Sequence, residues 1–483
     1  MPSPAILQDF IAGTFRPMGD GGGRTIPSIN PSDVSDVVAL VPEGTPDDAR
    51  AAVDAAAEAL PAWRALSGPA RAEYLHVWAA AIAQRADDLA RAMTREVGKP
   101  ITESRGEVGR AVVILRYYAG EAVREAGQVI PSQVPGALQF TLREPLGVVA
   151  LITPWNFPLA IPLWKAAPAL AFGNTVVLKP SEMSSHVAAL LAETAAAALP
   201  RGVFNVVYGT GQAVGTPLLR QAAVRGISFT GSSAVGALVA AIAAERNVRY
   251  QTEMGGKNVV IVDRDADLDA AAALTAAGAM RYAGQKCTAT SRVVVVREVE
   301  RDFLARLQAQ VERLPLGPVD DPAAAVGPLI SAHSRDAITH AVRDGNAEHL
   351  FGGQLPNDSR FTHGYFFAPL VIRFPDADTP LAQRELFGPV LGTLVADDVD
   401  HAIALANRTP YGLSASLFTR DIRGALRYIH RIEAGLVRVN GDTTGVDPHA
   451  PFGGMKGSSS GSREQGPAAR EFYTETKTVQ INP

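Results

Sequence analysis

Residues 147–179 read GVVALITPWNFPLAIPLWKAAPALAFGNTVVLK and indicate the fold class. The stretch begins with an apolar run of strand length (148–152), continues through an apolar segment of helix length (159–171) and returns to an apolar run (175–178). A strand, a helix and a second apolar strand predict a right-handed crossover between two parallel strands. We therefore expect an α/β protein whose parallel sheet is covered by helices on both faces.

The same alternation continues towards the C-terminus. Further strands are predicted at 204–207, 226–229 and 249–251, with helices at 187–199, 213–221 and 234–244. A second alternation begins near Asn258, with strands at 258–262 and 292–296 around a helix at 267–282, a helix at 301–314, and further elements to about Asn440. Two such alternations predict two open parallel-sheet units.

The flanking segments follow other patterns. Helix-forming runs, the first capped by Thr45, extend to about Lys99, and a further helix is predicted from Thr102 to Ala126. The start of the chain reads as irregular, residues 453–466 as a loop, and residues 139–143 and 472–481 as extended.

Composition limits the class of protein. The 483 residues are 47% hydrophobic and 19% charged, which predicts large cores and little disorder. A net charge of −4 argues against nucleic acid as a partner. The N-terminal ten residues lack a secretory signal, no apolar run is long enough for a spanning helix, and the scattered histidines predict no metal site. We expect a cytoplasmic protein that does not bind membranes.

The single cysteine, Cys287, is the strongest candidate nucleophile. It lies in the run GQKCT (284–288), 34 positions after Glu253, which belongs to the run EMGGK (253–257). A lone cysteine can be an inert buried residue. Here Gly284 permits a tight turn and the adjacent Lys286 is expected to favour the reactive thiolate. A nucleophile and a carboxylate base would support covalent catalysis.

Further polar residues follow the predicted strands, where α/β sheets bind ligands. Asn156, in the run PWNFP (154–158), is either an oxyanion donor or part of a rigid turn. Lys179 and Glu182 could bind the ribose of a nucleotide or form a surface ion pair. A ribose-binding acid disfavours a 2′-phosphate, which predicts NAD over NADP.

Two other segments carry weaker signals. Gly231 and Ser232 open a helix where amide groups can meet a phosphate, and Gly211 lies in a comparable turn. Glu385 and Phe387, in the run ELFGPV (385–390), could clamp a nicotinamide riboside or form a structural turn.

Taken together, these segments resemble the NAD(P)-dependent aldehyde dehydrogenase superfamily. The resemblance extends from about residue 30 to residue 479, and the segments that carry it are 154–158, 179–182, 229–232, 253–257, 284–287, 385–390 and 451–454. It implies an NAD-binding domain (1–131 and 147–254), a catalytic domain (255–440) and a β-stranded oligomerisation arm (132–146 and 460–483). It also implies a homodimer or homotetramer.

The resemblance assigns roles residue by residue. Cys287 matches the nucleophile, Glu253 the base that activates the deacylating water, and Asn156 the oxyanion donor, helped by the Cys287 amide. The cofactor, NAD with NADP possible, would be bound by Thr153, Trp155, Lys179, Glu182, Gly211, Gly231, Ser232, Met254, Glu385 and Phe387.

The substrate is an aldehyde whose identity is less constrained. Arg281 matches a carboxylate-binding position of succinate-semialdehyde dehydrogenases, but the second arginine of those enzymes falls at Trp164. Residues 284–292 and 445–454 look more like 2-oxoglutarate-semialdehyde dehydrogenases, and His449 joins the predicted substrate residues. Arg281 could equally be a helix-surface charge. Three other enzymes remain as alternatives: a succinate-semialdehyde dehydrogenase, a broad-specificity or aromatic aldehyde dehydrogenase, and a CoA-acylating aldehyde dehydrogenase. A fourth alternative is a structural relative without catalytic activity.

Overall fold

The computed structural model describes residues 4–17, 23–124 and 127–483. The helices are α1 (Pro46–Ala65), α2 (Gly68–Gln84), α3 (Ala86–Val97), α4 (Ile101–Glu121), α5 (Ala160–Ala171), α6 (Ser185–Ala198), α7 (Thr216–Arg220), α8 (Ser233–Arg246), α9 (Leu268–Met280), α10 (Glu300–Glu312), α11 (Ala332–Asp344), α12 (Pro380–Gln383), α13 (Val399–Asn407), α14 (Ile422–Arg431) and α15 (Ala468–Tyr473). Short 3₁₀ turns cover Glu182–Ser184, Arg281–Gly284, Arg297–Val299 and Ser359–Phe361, and a π-helical turn covers Gly211–Gly215.

The strands are β1 (Asp9–Ile11), β2 (Thr14–Arg16), β3 (Thr25–Ile29), β4 (Val37–Pro42), β5 (Val129–Ile130), β6 (Leu138–Pro145), β7 (Val148–Ile152), β8 (Thr175–Lys179), β9 (Phe204–Val206), β10 (Val224–Thr230), β11 (Arg249–Glu253), β12 (Val259–Val262), β13 (Arg292–Val296), β14 (Glu348–Gly352), β15 (Leu370–Arg373), β16 (Val390–Ala396), β17 (Tyr411–Gly412), β18 (Ser414–Phe418), β19 (Leu436–Val439), β20 (Met455–Lys456), β21 (Ser459–Ser460) and β22 (Thr474–Ile481).

The first sheet has the order β2-β1-β9-β8-β7-β10-β11-β21. The five central strands β9, β8, β7, β10 and β11 are parallel, and antiparallel strands flank them, β1 followed by β2 on one side and β21 on the other. Alternate residues of β7 face opposite cores: Val149 and Leu151 pack with helices α2 to α6, and Val148 and Ala150 pack with α1, α7 and α8. Because both faces of the strand are buried, it is apolar throughout. The predicted α/β class is confirmed.

The second sheet has the order β14-β15-β16-β13-β12-β18-β19 and is parallel except for the edge strand β14. Its central strands β12 and β13 pair in register from Val259↔Arg292 to Val262↔Val295. A separate core lies around them. The two predicted parallel-sheet units are therefore both present.

A third, antiparallel sheet joins distant parts of the chain in the order β22-β6-β5. Strand β22 pairs with β6 from Thr474↔Pro145 to Ile481↔Leu138. The two segments predicted for the arm thus contribute its main strands. The boundaries of the three predicted domains, and the role of this sheet in assembly, stay predictions.

Four local predictions need correction or limitation. The start of the chain is not irregular, because β1 to β4 lie there; β1 is too short to show a period in the sequence. The loop predicted at 453–466 contains β20 and β21, since Ser459 and Ser460 pair with the edge of β11. The helix predicted to reach Tyr282 ends at Met280, because Arg281 is extended. Helix α4 ends at Glu121, and Ala126 lies outside the described residues.

Within the described ranges, no helix is both long and apolar enough to cross a membrane. The same residues contain no group of three or more His, Cys, Asp or Glu side chains placed to hold a metal ion.

Candidate active site

The carboxyl ends of β7, β10 and β11 lie side by side and present buried polar atoms. The hydroxyl oxygens of Thr153 and Thr230 and the Oε1 atom of Glu253 are buried and have no hydrogen-bond partner in the described part of the chain. A buried polar atom left without a partner costs about 1–3 kcal/mol. This edge of the first sheet is therefore suited to binding a polar ligand.

Asn156 links this edge to the loop that carries Cys287. The residue is buried, and its Nδ2 atom donates a hydrogen bond of 3.1 Å to the carbonyl oxygen of Gln285. The amide nitrogen carries two hydrogens, so one remains for a second acceptor. Gln285, which the sequence analysis did not select, fixes this loop: its Oε1 accepts from the Ile330 amide at 2.9 Å and its Nε2 donates to the Pro328 carbonyl at 3.1 Å.

The loop before Cys287 has an unusual backbone. Tyr282, Ala283 and Gly284 have φ values of 56°, 50° and 65°. A Cβ atom at Gly284 would lie 2.4 Å from the Gly388 carbonyl oxygen, so only glycine fits there. The Cys287 carbonyl accepts from Asn258 Nδ2 at 2.8 Å. The loop at 282–287 is thus fixed by close packing at Gly388 and by a hydrogen bond from Asn258.

The half-buried Cys287 side chain packs against Leu413, Leu436 and Phe452. Burial raises the pKa of the Cys287 thiol to about 12; Glu385 and Glu253 add to this, and the Thr288 and Cys287 amides oppose it. Lys286 does not offset the shift, because its Nζ donates to a carboxylate of Glu103 at 2.9 Å. The expectation that Lys286 favours the thiolate is wrong for this arrangement.

This shift predicts a pH dependence for alkylation. Because the thiol pKa is raised, the thiolate becomes populated only as pH rises, and iodoacetamide should modify the cofactor-free protein about tenfold faster per pH unit from about pH 7 to about pH 10. Mass spectrometry would follow the reaction at Cys287, the only cysteine. Free N-acetylcysteine is the control and should level off near its ordinary pKa. A plateau for the protein below about pH 9 would contradict the prediction.

Glu253 ends β11 and is held by the C-terminal part of the chain. Ser459 Oγ donates to Glu253 Oε2 at 2.6 Å, while Oε1 stays without a partner among the described residues. A Cβ atom at Gly453 would lie 2.8 Å from that Oε1, so glycine leaves room beside it. Burial, and then the charge of Glu464, raise the pKa of Glu253 well above its usual range. A carboxyl group whose pKa is raised is a stronger base once it is ionised.

A buried ion pair that the sequence analysis missed lies beneath Glu253. Lys165 Nζ binds Glu464 Oε1 and donates to Ser228 Oγ at 2.8 Å. Trp164 is buried and donates through Nε1 to Glu464 Oε2 at 2.7 Å. A lysine inside the apolar run LWKAAPAL was the available signal, because a buried charge needs a partner.

Two aromatic residues of the predicted cofactor set lie together. The rings of Trp155 and Phe387 are 5.7 Å apart at 88°, and Phe387 has a φ of 56°. Glu385 Oε1 accepts from the Gly256 amide at 3.0 Å, and burial raises the pKa of Glu385 to about 7. Met254 follows Glu253 and packs against the core around β10.

The remaining predicted cofactor residues lie along the same edge of the first sheet. Lys179 Nζ contacts Glu182 Oε1 at 3.1 Å. Ser232 caps helix α8. A side chain at Gly231 would meet the Phe229 ring at 2.5 Å, whereas Gly211 faces open space. The Gly231 amide donates to the Glu253 carbonyl at 3.0 Å, so of these two glycines only Gly211 is open.

The described contacts do not join Arg281 or His449 to Cys287. Arg281 is exposed and interacts electrostatically with Glu103. The His449 side chain is 68% exposed, lies 3.9 Å from Asp447, and its ring is 6.4 Å from that of Tyr117.

Comparison with known proteins places these features in a family. The sequence matches the aldehyde dehydrogenase family over residues 18–479. It is 45% identical to the alpha-ketoglutaric semialdehyde dehydrogenase of Bacillus subtilis (strain 168), over 94% of each chain. The fold is similar to the crystal structure of an NAD-dependent aldehyde dehydrogenase from Sinorhizobium meliloti, with a TM-score of 0.95, 37% identity and coverage of 99% and 95% of the two chains. A betaine aldehyde dehydrogenase from Staphylococcus aureus in complex with NAD⁺ has a TM-score of 0.94 at 32% identity, with coverage of 99% and 95%.

Proposed function

Because this chain belongs to the aldehyde dehydrogenase family, we propose that it oxidises 2-oxoglutarate semialdehyde to 2-oxoglutarate with NAD, through Cys287, Glu253 and Asn156. The observation that supports this most is the meeting of three elements. The Asn156 amide contacts the loop of the only cysteine, and the Glu253 charge acts on that same thiol. These contacts support the proposal that nucleophile, oxyanion donor and base serve one carbonyl group.

The first sheet fits the proposed NAD. Lys179 and Glu182 offer a cation and an acid suited to the adenosine ribose. Gly211, Gly231 and Ser232 are the residues proposed to face the pyrophosphate, and the open space at Gly211 and the start of helix α8 at Ser232 support this. The residues proposed for the nicotinamide riboside are Thr153, Trp155, Met254, Glu385 and Phe387. The Thr153 hydroxyl is buried and has no partner in the described part of the chain, which supports this assignment. When bound, NAD accepts the hydride from the carbon attached to sulfur.

The protein groups supply the other steps. The Cys287 thiolate, formed when the thiol loses its proton, attacks the aldehyde carbon, and the electron pair of the C=O bond moves to the oxygen. The resulting oxyanion receives hydrogen bonds from Asn156 and the Cys287 amide. After the oxidation the acyl group remains on sulfur as a thioester. Glu253 takes a proton from water, which attacks the thioester carbon and releases the carboxylic acid and the thiol. The raised pKa of Glu253 makes it a stronger base once it is ionised.

The substrate proposal rests on the Bacillus subtilis relative, whose name specifies this semialdehyde. The exposed Arg281 and His449 and the buried Trp164 are proposed substrate residues. We further propose a cytoplasmic homodimer or homotetramer. The third sheet supports assembly, because Val129, Leu138 and Ile481 on it are exposed apolar side chains.

An NADH absorbance assay with a panel of aldehydes tests this function. We expect kcat/KM for 2-oxoglutarate semialdehyde to exceed that for pentanal, its uncharged counterpart in length, by about tenfold or more, since a charge-assisted contact has that effect. We expect kcat/KM to be higher with NAD than with NADP, because the Glu182 carboxylate would repel the 2′-phosphate of NADP. A preference for succinate semialdehyde would indicate a succinate-semialdehyde dehydrogenase. A preference for neutral or aromatic aldehydes would indicate a broad-specificity or aromatic aldehyde dehydrogenase. A strict need for CoA would indicate an acylating enzyme, and no NADH with any aldehyde a structural relative.

A further inference from the structure

One face of helix α4 borders the loops of the active site. Glu103 contacts Lys286, the residue before Cys287. One turn further, Glu107 Oε1 accepts from the amides of Leu159 and Ala160, which follow the Asn156 loop, at 2.9 Å each. Arg110 is the next residue on this face, because positions separated by three or four lie above one another on a helix. Its side chain is therefore directed along the wall of the site.

The Arg110 guanidinium has unused hydrogen-bonding capacity. Its Nη2 donates to Gln465 Oε1 at 3.3 Å, which is a long contact to a neutral amide. Its Nε is buried and has no partner among the described residues, and neither has the adjacent Gln465 Nε2. A buried guanidinium normally binds a carboxylate or several carbonyl oxygens. Arg110 and the Gln465 amide therefore each have a buried donor, without a partner among the described residues, that an anion could accept from.

The carboxylates around Arg110 do not supply the guanidinium with an ion-pair partner. Burial lowers the pKa of Arg110, while Asp447, Glu107 and Cys287 act in the opposite direction in that order. Glu107 is already bound to Lys99 and to two backbone amides. The Asp447 side chain is 78% exposed. Gln465, which accepts from Arg110, follows Glu464, and the Glu464 backbone pairs with that of Phe452, whose cluster packs against Cys287. These contacts place the guanidinium on the Cys287 side of the site.

We propose that Arg110 binds the distal carboxylate of the aldehyde substrate, with the Gln465 amide as a second donor, and so sets the preference for carboxylated aldehydes. The inference rests on the proposed function and adds its specificity-determining residue. The apolar side chain of Phe452 packs with Cys287 and lies 5.4 Å from the Trp164 ring, which gives the methylene chain an apolar wall. The Arg110 cation would bind a carboxylate at one end of the substrate, and the apolar wall would favour an uncharged chain between that carboxylate and the aldehyde.

Steady-state kinetics of Arg110→Met with glutarate semialdehyde and pentanal test the proposal. These aldehydes have the same carbon chain and differ in the carboxylate. We expect kcat/KM for glutarate semialdehyde to fall about ten- to a hundredfold, mostly through KM, and that for pentanal to change less than about threefold. Arg110→Lys keeps the charge and should recover most of the loss. Arg116→Met, an exposed arginine on the same helix, is the matched control and should change neither substrate.

Each other outcome overturns a defined part. If the wild-type protein does not prefer glutarate semialdehyde to pentanal, the proposed function fails, and this inference with it. If the wild type has that preference but Arg110→Met lowers both substrates equally, Arg110 acts on the structure of the site and the inference fails alone. If only Arg281→Ala removes the preference, the carboxylate is bound at the exposed Arg281 and not at Arg110.

Discussion

Cys287→Ser should reduce NADH formation by at least about a thousandfold with every aldehyde, because a serine hydroxyl in this apolar setting is a far weaker nucleophile than a thiolate. No second cysteine exists in the 483 residues to replace the sulfur. The substitution is nearly isosteric, so the packing on Leu413, Leu436 and Phe452 should survive. Stopped-flow and steady-state absorbance should show neither a burst nor turnover.

NAD binding provides the control for this variant. The residues proposed for the adenosine and pyrophosphate lie on the first sheet, and serine keeps the shape of the site, so a thermal-shift titration with NAD should give a Kd within about threefold of the wild-type value. Turnover above about one-hundredth of the wild-type rate would remove Cys287 from the nucleophile role.

Glu253→Gln should separate the two halves of the reaction. Acylation precedes the step that needs the base, so we expect a burst of NADH close to one per active site, followed by a steady-state rate lowered about a hundred- to ten-thousandfold. Glutamine can still accept the hydrogen bond from Ser459, which keeps the local geometry. Quenched samples should contain the acyl group on Cys287, detectable as an added mass.

Ser459→Ala serves as the matched comparison. It removes the hydrogen bond that positions Glu253 but leaves the carboxyl group, so its steady-state rate should lie between those of wild type and Glu253→Gln. An unchanged steady-state rate for Glu253→Gln at neutral pH would assign the activation of water to another group.

Apolar runs of strand length predicted the parallel strands closely, because these strands are buried on both faces. Strands β7 and β13 have the predicted bounds, because β7 is an uninterrupted apolar run that ends before Thr153 and β13 is Arg292 followed by four valines that end before Arg297. Strands β1 and β21 were missed for the opposite reason. They contain three and two residues, and they exist because an edge of the first sheet pairs with them. Tertiary pairing of this kind leaves no local pattern.

The site shows the same division between local and tertiary information. Asn156, Glu253 and Cys287 could be selected because each lies in a short motif after a strand or beside glycine. The state of the thiol could not be read from the motif. Lys286 is adjacent in sequence, but its charge is directed to Glu103 on helix α4, 183 positions away. The Lys165–Glu464 pair, 299 positions apart, likewise depends on the folded chain.

The last 25 residues have a consequence for anyone who handles this protein. Ser459 holds Glu253, Glu464 holds Lys165 and Trp164, and β22 then pairs with β6 along eight residues. Between Ser459, which contacts Glu253, and strand β22 of the third sheet, α15 is the only helix. A purification tag or fusion partner at the carboxyl terminus would therefore load the segment that positions Glu253, the proposed base.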